Sequence, residues 1–368
     1  MTLASYITSI AQFDMTNTGT SISANMGAGV NVANCVPFFS LLLNGTGDDW
    51  DDICCDVSFT AGSPPTVTCT FSGNTGSINI SMFVVEFDGT NVEVQCDTFE
   101  MTNAETTDSV DITAITDGKA FIVPTWWANA GDDDWDGAMI EASFTDTDTV
   151  YFERGKASGD IYGHFYVVEA QGSEFSVQTC NPDIAHEATV GTDDISAITT
   201  TQSMIIASSS NVYGSDNGRA TAIRLYFVDS DTVAAERNYG YYILSVTAFI
   251  VTFAGGETIQ HKVEEWGVPD VNISTEITEI TEAQSILYCG HPFGIMEYAG
   301  AGSAHMEAGF VKLTFTDSDT VYAIRGDDDL LVAGTCNFQV IDFEASGAPT
   351  PTYSGRGVGR GIIRGVMR

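Results

Sequence analysis

Apolar and polar positions alternate with a period of two through most of the chain, and no long window shows a 3.6-residue apolar period. Ile140, Ala142 and Phe144 alternate with small or polar neighbours, as do Leu313 and Phe315. Such alternation predicts half-buried strands. It is followed by the step Asp-Thr/Ser-Asp-Thr, which is turn chemistry, because short acidic and hydroxyl side chains bond the backbone two residues on. Val150, Phe152 and Arg154 then alternate again, which closes a hairpin. A second turn follows (GKASGD, NYGY, GDDDL or SGNTGS), and then an apolar strand. Val, Ile, Thr, Phe and Tyr dominate throughout, the composition of a pleated, half-buried surface.

The hairpin repeats. FTDTDTVYFERG (144–155), FVDSDTVAAERN (227–238) and FTDSDTVYAIRG (315–326) align without gaps at their centre, and a looser copy without the Arg starts at Phe59. The leading Phe59, Phe144, Phe227 and Phe315 are 85, 83 and 88 residues apart. Related strands precede the later copies (DITAI, DISAI, TEITEI), and apolar runs close each copy (SMFVVEF, HFYVVEA, AFIVTF, FQVIDF). The fold class expected is all-β, with four tandem immunoglobulin-like β-sandwich repeats of about 85 residues plus a basic C-terminal arm. The divisions are 1–91, 92–173, 174–257 and 258–347, with a Gly/Arg-rich arm over 348–368. Arg154, Arg237 and Arg325 recur at one strand position, which points to an internal role: pairing with an acid on the adjacent strand while the stem covers apolar surface.

Charge narrows the function classes. The chain of 368 residues carries 50 acidic and 13 basic residues, a net charge of −37, and no basic residue precedes Lys119. Such a body repels phosphate, so nucleic acid and anionic membrane surfaces are poor partners for it. No stretch of 18 or more apolar residues suggests a membrane span, and the N-terminus lacks the pattern of a signal peptide.

Candidate chemistry is sparse. Eight cysteines occur, four of them in the first repeat and Cys96 just beyond it, with no zinc-type spacing. Disulfides and free buried thiols are both compatible with them. Adjacent Cys54 and Cys55 point to opposite faces of a strand, so one can be buried while the other is exposed. The acidic loops GDDWDD (47–52) and GDDDWDG (131–137) sit in register, so Asp48, Asp49 and Asp51 match Asp133, Asp134 and Asp136. Clustered carboxylates suit Ca²⁺, although the spacing is not that of an EF-hand; the alternative is a solvated acidic turn with Trp packing back on the sandwich. No other cofactor is expected. The five histidines have no motif around them, and neither GxSxG nor HExxH is present, so the chain is read as a non-enzyme.

After Pro351 the composition changes. The chain ends in SGRGVGRGIIRGVMR, where Arg356, Arg360, Arg364 and Arg368 fall four apart among Val358, Ile362, Ile363, Val366 and Met367. The acidic body of a neighbouring subunit is the nearest anionic target for this segment, which is read as an assembly arm, with a flexible solubilising tail as the alternative.

The pattern Phe-Thr/Val-Asp-Thr/Ser-Asp-Thr-Val-x-x-x-Arg, carried by Phe144 to Arg154, Phe227 to Arg237 and Phe315 to Arg325, resembles repeats in proteins of tailed phages and prophages. The closing strands Val84-Val85-Glu86 and Val167-Val168-Glu169 share in the likeness. The resemblance covers the later three repeats better than the first. It implies a virion structural or tail-fibre type of protein and no catalytic residues. The expected function is therefore assembly and surface adhesion in a phage particle, made in the host cytoplasm, with other virion subunits or copies of itself as partners and a host-surface glycan as a further candidate. A capsid decoration protein, a bacterial surface fibre and a carbohydrate-binding module are the alternatives.

Overall fold

The computed structural model describes residues 5–17, 19–44, 54–73, 77–129, 135–211, 222–238, 240–255, 257–267, 272–291, 297–298, 310–325 and 333–343. Their secondary structure is almost wholly strand. The first stretch holds β1 (Ile7–Asn17), β2 (Ser21–Asn25), β3 (Cys35–Asn44), β4 (Asp56–Thr60), β5 (Thr66–Thr70) and β6 (Ser77–Phe87). The second holds β7 (Val92–Met101), β8 (Thr107–Asp111), β9 (Ala120–Asn129), β10 (Glu141–Asp146), β11 (Thr149–Glu153) and β12 (Asp160–Ala170). The third holds β13 (Phe175–Cys180), β14 (Val190–Asp194), β15 (Ser203–Asn211), β16 (Arg224–Phe227), β17 (Thr232–Glu236) and β18 (Leu244–Phe253). The last holds β19 (Thr258–Trp266), β20 (Asn272–Glu276), β21 (Ser285–Tyr288), β22 (Glu297–Tyr298), β23 (Val311–Asp317), β24 (Thr320–Arg325) and β25 (Gly334–Asp342). A single turn of α-helix, Trp135–Ala138, precedes β10.

Each stretch forms two small antiparallel sheets. In the first, β1-β6-β3 is one sheet and β2-β5-β4 the other. The same orders recur as β7-β12-β9 with β8-β11-β10, β13-β18-β15 with β14-β17-β16, and β19-β25-β21 with β20-β24-β23, where β22 adds to β25. The chain is thus an all-β succession of sandwiches. In an immunoglobulin sandwich the sheet containing strands B, E and D faces strands C, F and G. Here β2-β5-β4 and β3-β6 reproduce those pairings, and the first strand of each stretch occupies the edge that strand G holds there.

The apolar closing runs are the central strands β6, β12, β18 and β25. Phe83, Val84 and Val85 are buried, as are Tyr166, Val167 and Val168. A strand buried on both faces reads as a continuous apolar run rather than an alternating one. The glutamate that ends the Val-Val-Glu step is buried too, and it holds the connection between the second and third strands. Glu86 accepts from the Asn31 amide at 2.7 Å and from Ser9 Oγ at 2.7 Å, and Glu169 accepts from the Thr116 amide at 2.7 Å. Asp342 takes the same place and accepts from Ser285 Oγ at 3.0 Å.

The Asp-x-Asp turns form as the composition predicts. The Asp148 amide donates to Asp146 Oδ1 at 3.1 Å, Asp231 to Asp229 at 3.1 Å, and Asp319 to Asp317 at 3.3 Å. The segments DITAI, DISAI and TEITEI, expected as strands, are strand only at their start: β8 ends at Asp111, β14 at Asp194 and β20 at Glu276. Beyond these points the backbone turns onto the hairpin tip. Ile112 and Ile115 donate to the Asp148 and Thr147 carbonyls, Ile195 and Ile198 to Asp231 and Ser230, and Ile277 and Ile280 to Asp319 and Ser318. A glutamine from the first strand clamps each segment. Gln95 bonds both the amide and the carbonyl of Thr113, Gln178 those of Ser196, and Gln260 those of Thr278, at 2.7–3.0 Å.

Two expectations need correction. Arg154, Arg237 and Arg325 are internal, at 1%, 1% and 3% exposure, but what they grip is backbone. Arg154 donates to the carbonyls of Thr102, Glu105, Gly137, Ser158 and Gly159 at 2.7–3.1 Å. Arg237 reaches the carbonyls of Ala185, Ala188 and Tyr242. A guanidinium with five N–H groups suits several converging loop carbonyls better than one carboxylate. In the first stretch, the register that pairs Val57 with Cys69 carries on to put buried Phe71 at this place. The second correction concerns Cys54 and Cys55, which are both buried, because neighbouring strands cover the outer face of this sheet as well as the inner one. None of the eight cysteines is joined in a disulfide; Cys96 is exposed and the others are buried.

Candidate functional site

In each stretch the strand that opens the repeated hairpin packs across the third strand, the central strand or both in the next. β4 lies on β9 and β12, β10 on β15 and β18, and β16 on β25; then β23 lies on β3 and β6. The last contact returns to the first stretch, so the joints form a closed circuit. The site with the most chemistry in the described residues is this set of four joints, built at three positions of the repeated strand.

The first position carries the charge. At the first joint Asp56, buried, accepts from His164 Nδ1 at 2.9 Å, from the His164 amide at 2.9 Å and from Thr125 Oγ1 at 3.1 Å. At the second, Glu141 accepts from Thr247 Oγ1 at 2.6 Å and Ser210 Oγ at 3.1 Å. At the third, Arg224 donates to Asn337 at 3.3 Å while paired with Glu236 at 2.7 Å. At the fourth, Lys312 pairs with Asp14 at 3.0 Å. Equivalent positions therefore bear Asp, Glu, Arg and Lys, and each meets a different partner.

The second position supplies a backbone amide. Val57 donates to Thr125 Oγ1 at 3.1 Å, Ala142 to Ser208 Oγ at 2.8 Å, and Leu313 to Ser40 Oγ at 2.9 Å. At the third joint Gly290, at φ +81°, replaces the hydroxyl residue, and its carbonyl accepts from the Ala207 amide at 2.7 Å. The motif phenylalanine fills the last position. Phe59 meets Tyr166 edge-on at 5.6 Å, Phe144 meets Phe249 at 5.7 Å, and Phe315 meets Phe83 at 5.8 Å. Tyr166, Phe249 and Phe83 are equivalent residues of the central strands. Their counterpart in the last stretch is Gln339, whose amide bonds the Ile205 amide and carbonyl, each at 2.8 Å. Phe227 instead meets His261 at 5.1 Å.

The joints also cover strand edges. β7, β19 and β1 each lie beside a 3-10 turn of the preceding stretch, Val32–Asn34, Thr200–Gln202 and Glu282–Gln284. His261 Nε2 donates to the Thr200 and Ser203 carbonyls at 3.0 Å. An edge covered in this way is closed to further strand pairing.

Burial sets the proton affinities. Burial disfavours a charge on His164, but the hydrogen bond and charge of Asp56, with Asp97 beyond, outweigh it and hold the imidazole above its ordinary value. Burial raises Glu141 against the pull of its hydroxyl donors. His291, wholly buried with Nε2 at 3.4 Å from Ser209 Oγ, is driven down to about 3 by burial.

The nominated metal residues Asp48, Asp49, Asp51, Asp133 and Asp134 lie outside the described residues, and the Asp136 side chain does as well; only its backbone is placed, in the helical turn. Arg356, Arg360, Arg364 and Arg368 also lie outside. Among the described residues no group of three or more His, Cys, Asp or Glu is arranged to hold a metal. No helix there is long and apolar enough to cross a membrane. The charged joint residues were missed by the sequence reading, although Asp56, Glu141, Arg224 and Lys312 keep the repeat spacing; a change of charge sign along the series disguises the equivalence. The glutamine clamps kept their identity and could have been found. Compared with family models and with curated proteins, the chain matches none.

Proposed function

We propose that this chain is a structural component of a phage particle, of the tail-fibre or tail-associated type, which acts by assembly and surface adhesion. The observation that carries the reading is the closed circuit of joints. Charged groups, hydroxyls and aromatic rings at equivalent positions lock one sandwich to the next, with different partners from joint to joint, which is the construction of a body made to keep its shape. The acidic surface keeps such a body soluble before assembly. The phage assignment itself rests on the repeat pattern from Phe144 to Arg154 and its two later copies. The test is immunogold labelling of particles induced from a strain that carries the gene. Gold at the tail or tail fibres is expected, gold on the capsid shell would favour the decoration reading, and unlabelled particles would remove both.

A further inference from the structure

The circuit is nearly fourfold in its joints but not in its surface. Among the described residues, the large hydrophobic side chains that stand exposed are Val190, Val228, Tyr241, Ile243 and Val263. All but Val263 belong to the third stretch. Val190 opens β14 where the other stretches place Ser21, Thr107 and Asn272. Ile243 stands immediately before Leu244, at the place of Asp160 before Ile161. Large apolar side chains stand here where the other stretches carry polar or small ones.

Three of these residues share one corner. The segments 184–189 and 237–244 are zipped together: Ile184 and Leu244 exchange two backbone hydrogen bonds at 2.9 and 3.0 Å, and Arg237 donates to the Thr189 carbonyl at 2.9 Å. The Tyr241 ring lies 5.7 Å from His186 and 5.1 Å from Tyr242, which presents it outward at 53% exposure beside Ile243 at 38%, with Val190 at 42%. Asp183 and Glu187 on the same segment are exposed, and Glu187 holds a φ of +67°, a backbone conformation unusual for a non-glycine residue. The corner is an aromatic and aliphatic patch with carboxylates beside it.

We propose that this corner receives the C-terminal arm, residues 355–368, of a second copy of the chain. The arm supplies the complement: Val358, Ile362, Ile363, Val366 and Met367 for the apolar patch, and Arg356, Arg360, Arg364 and Arg368 for Asp183 and Glu187. Position makes the contact with a second copy head-to-tail. The chain leaves β25 at Phe343, whose ring lies 5.9 Å from Phe253 at the end of β18. The corner is at the start of β18, and ten residues of strand separate the two ends, roughly 33 Å. An arm that leaves one end of the body and a patch that opens at the other make a head-to-tail contact, which builds stacks or filaments when it does not close.

The inference deepens the assembly part of the proposed function and is tested apart from the phage assignment. Sedimentation velocity over a concentration series would compare the full-length protein, a 1–354 truncation and the variant Tyr241→Ala/Ile243→Ser, whose changes are at exposed side chains. The full chain should form concentration-dependent oligomers, and either alteration should weaken them at least about tenfold. Mixed together, the truncation and the corner variant should pair one to one, since each retains what the other lacks. A full-length protein that stays monomeric across the series would overturn the proposal, as would association indifferent to Tyr241 and Ile243. Arm-dependent hydrogen-exchange protection of 237–244 in the monomer would assign the corner to the chain's own arm and overturn it as well. Self-association without labelled particles would sink only the phage reading, and labelled particles without self-association only this one.

Discussion

Lys312 on β23 lies 3.0 Å from Asp14 on β1, and this pair marks the one joint across which no short stretch of polypeptide runs. Its members are 15% and 56% exposed, so solvent screens the attraction. A double-mutant cycle with Lys312→Glu and Asp14→Lys should return a coupling of about 0.5 kcal/mol, with the double reversal more stable than either single variant. A coupling of zero would mean that the pair does not help to close the circuit.

The rings should matter more. Phe315 fits edge-on against Phe83 at the closing joint, and Phe315→Ala should cost about 3 kcal/mol in urea unfolding. Phe227→Ala should cost less, because Phe227 is only half-buried and meets the His261 imidazole rather than a phenyl ring. Equal costs would contradict the idea that the third joint is built differently.

Acidification should weaken the fold through His291. Its folded value is depressed to about 3 by burial, whereas an unfolded histidine titrates near 6.5. Below pH 6.5 the unfolded chain takes up a proton that the folded chain refuses, so this contribution to stability falls as pH falls, by up to about 1.4 kcal/mol per pH unit. His261, also lowered by burial, acts in the same direction. His164 opposes them: its value is raised, so its contribution is fully present below pH 6.5 and is lost as pH rises through the folded value. Melting temperatures from pH 7 to pH 5 should therefore fall, and His291→Gln should flatten the slope whatever it does to the absolute stability. An unchanged slope would show that His291 is not held neutral.

Arg154 offers a test of what its strand position requires. Arg154→Ala should destabilise by at least about 3 kcal/mol, since several converging carbonyls lose their donor inside the fold. Arg154→Phe should do no better, even though Phe71 occupies the matching place in the first stretch; an apolar ring fills the volume and leaves the carbonyls unsatisfied. Recovery of stability in the Phe variant would make packing, and not hydrogen bonding, the role of this residue.

Gln178→Ala should cost about 1 kcal/mol and raise hydrogen exchange at the Ser196 amide, which its side chain holds at 2.7 Å. The same change at Gln95 or Gln260 should act alike on Thr113 or Thr278. Exchange at Ser196 that does not respond would show that the backbone bonds of Ile195 and Ile198 suffice to hold the segment.

Strand identity, the hairpin and the sandwich class were legible because each rests on local rules: alternation at Ile140 to Phe144, and an aspartate bonding the amide two residues on. The all-apolar closing runs were legible as strands, but not the reason for their second buried face, which depends on the next sandwich lying across them. The same cause hid the fate of Cys54 and Cys55. DITAI looked like a strand because its Ile spacing fits one; the hairpin tip overrides that preference by offering carbonyls to Ile112 and Ile115. The joints were illegible because the residues that meet there are unlike in charge from copy to copy, and what they share is position. The arm and most of the acidic loops, which carried the candidate partner and metal sites of the sequence, fall outside the described residues.

The closed circuit also bears on how such a gene can change. An open row of repeats can lengthen or shorten by one, because its end faces tolerate having no neighbour. Here β23 returns to β3, and removing one sandwich would leave the others to bend through a wider angle at every junction. Duplication or loss of a single copy should therefore disturb every remaining joint, whereas moving the point at which the chain starts should disturb none. A coding sequence rearranged to begin in the connection 88–91 or 171–174, with the old ends linked, would encode the same object.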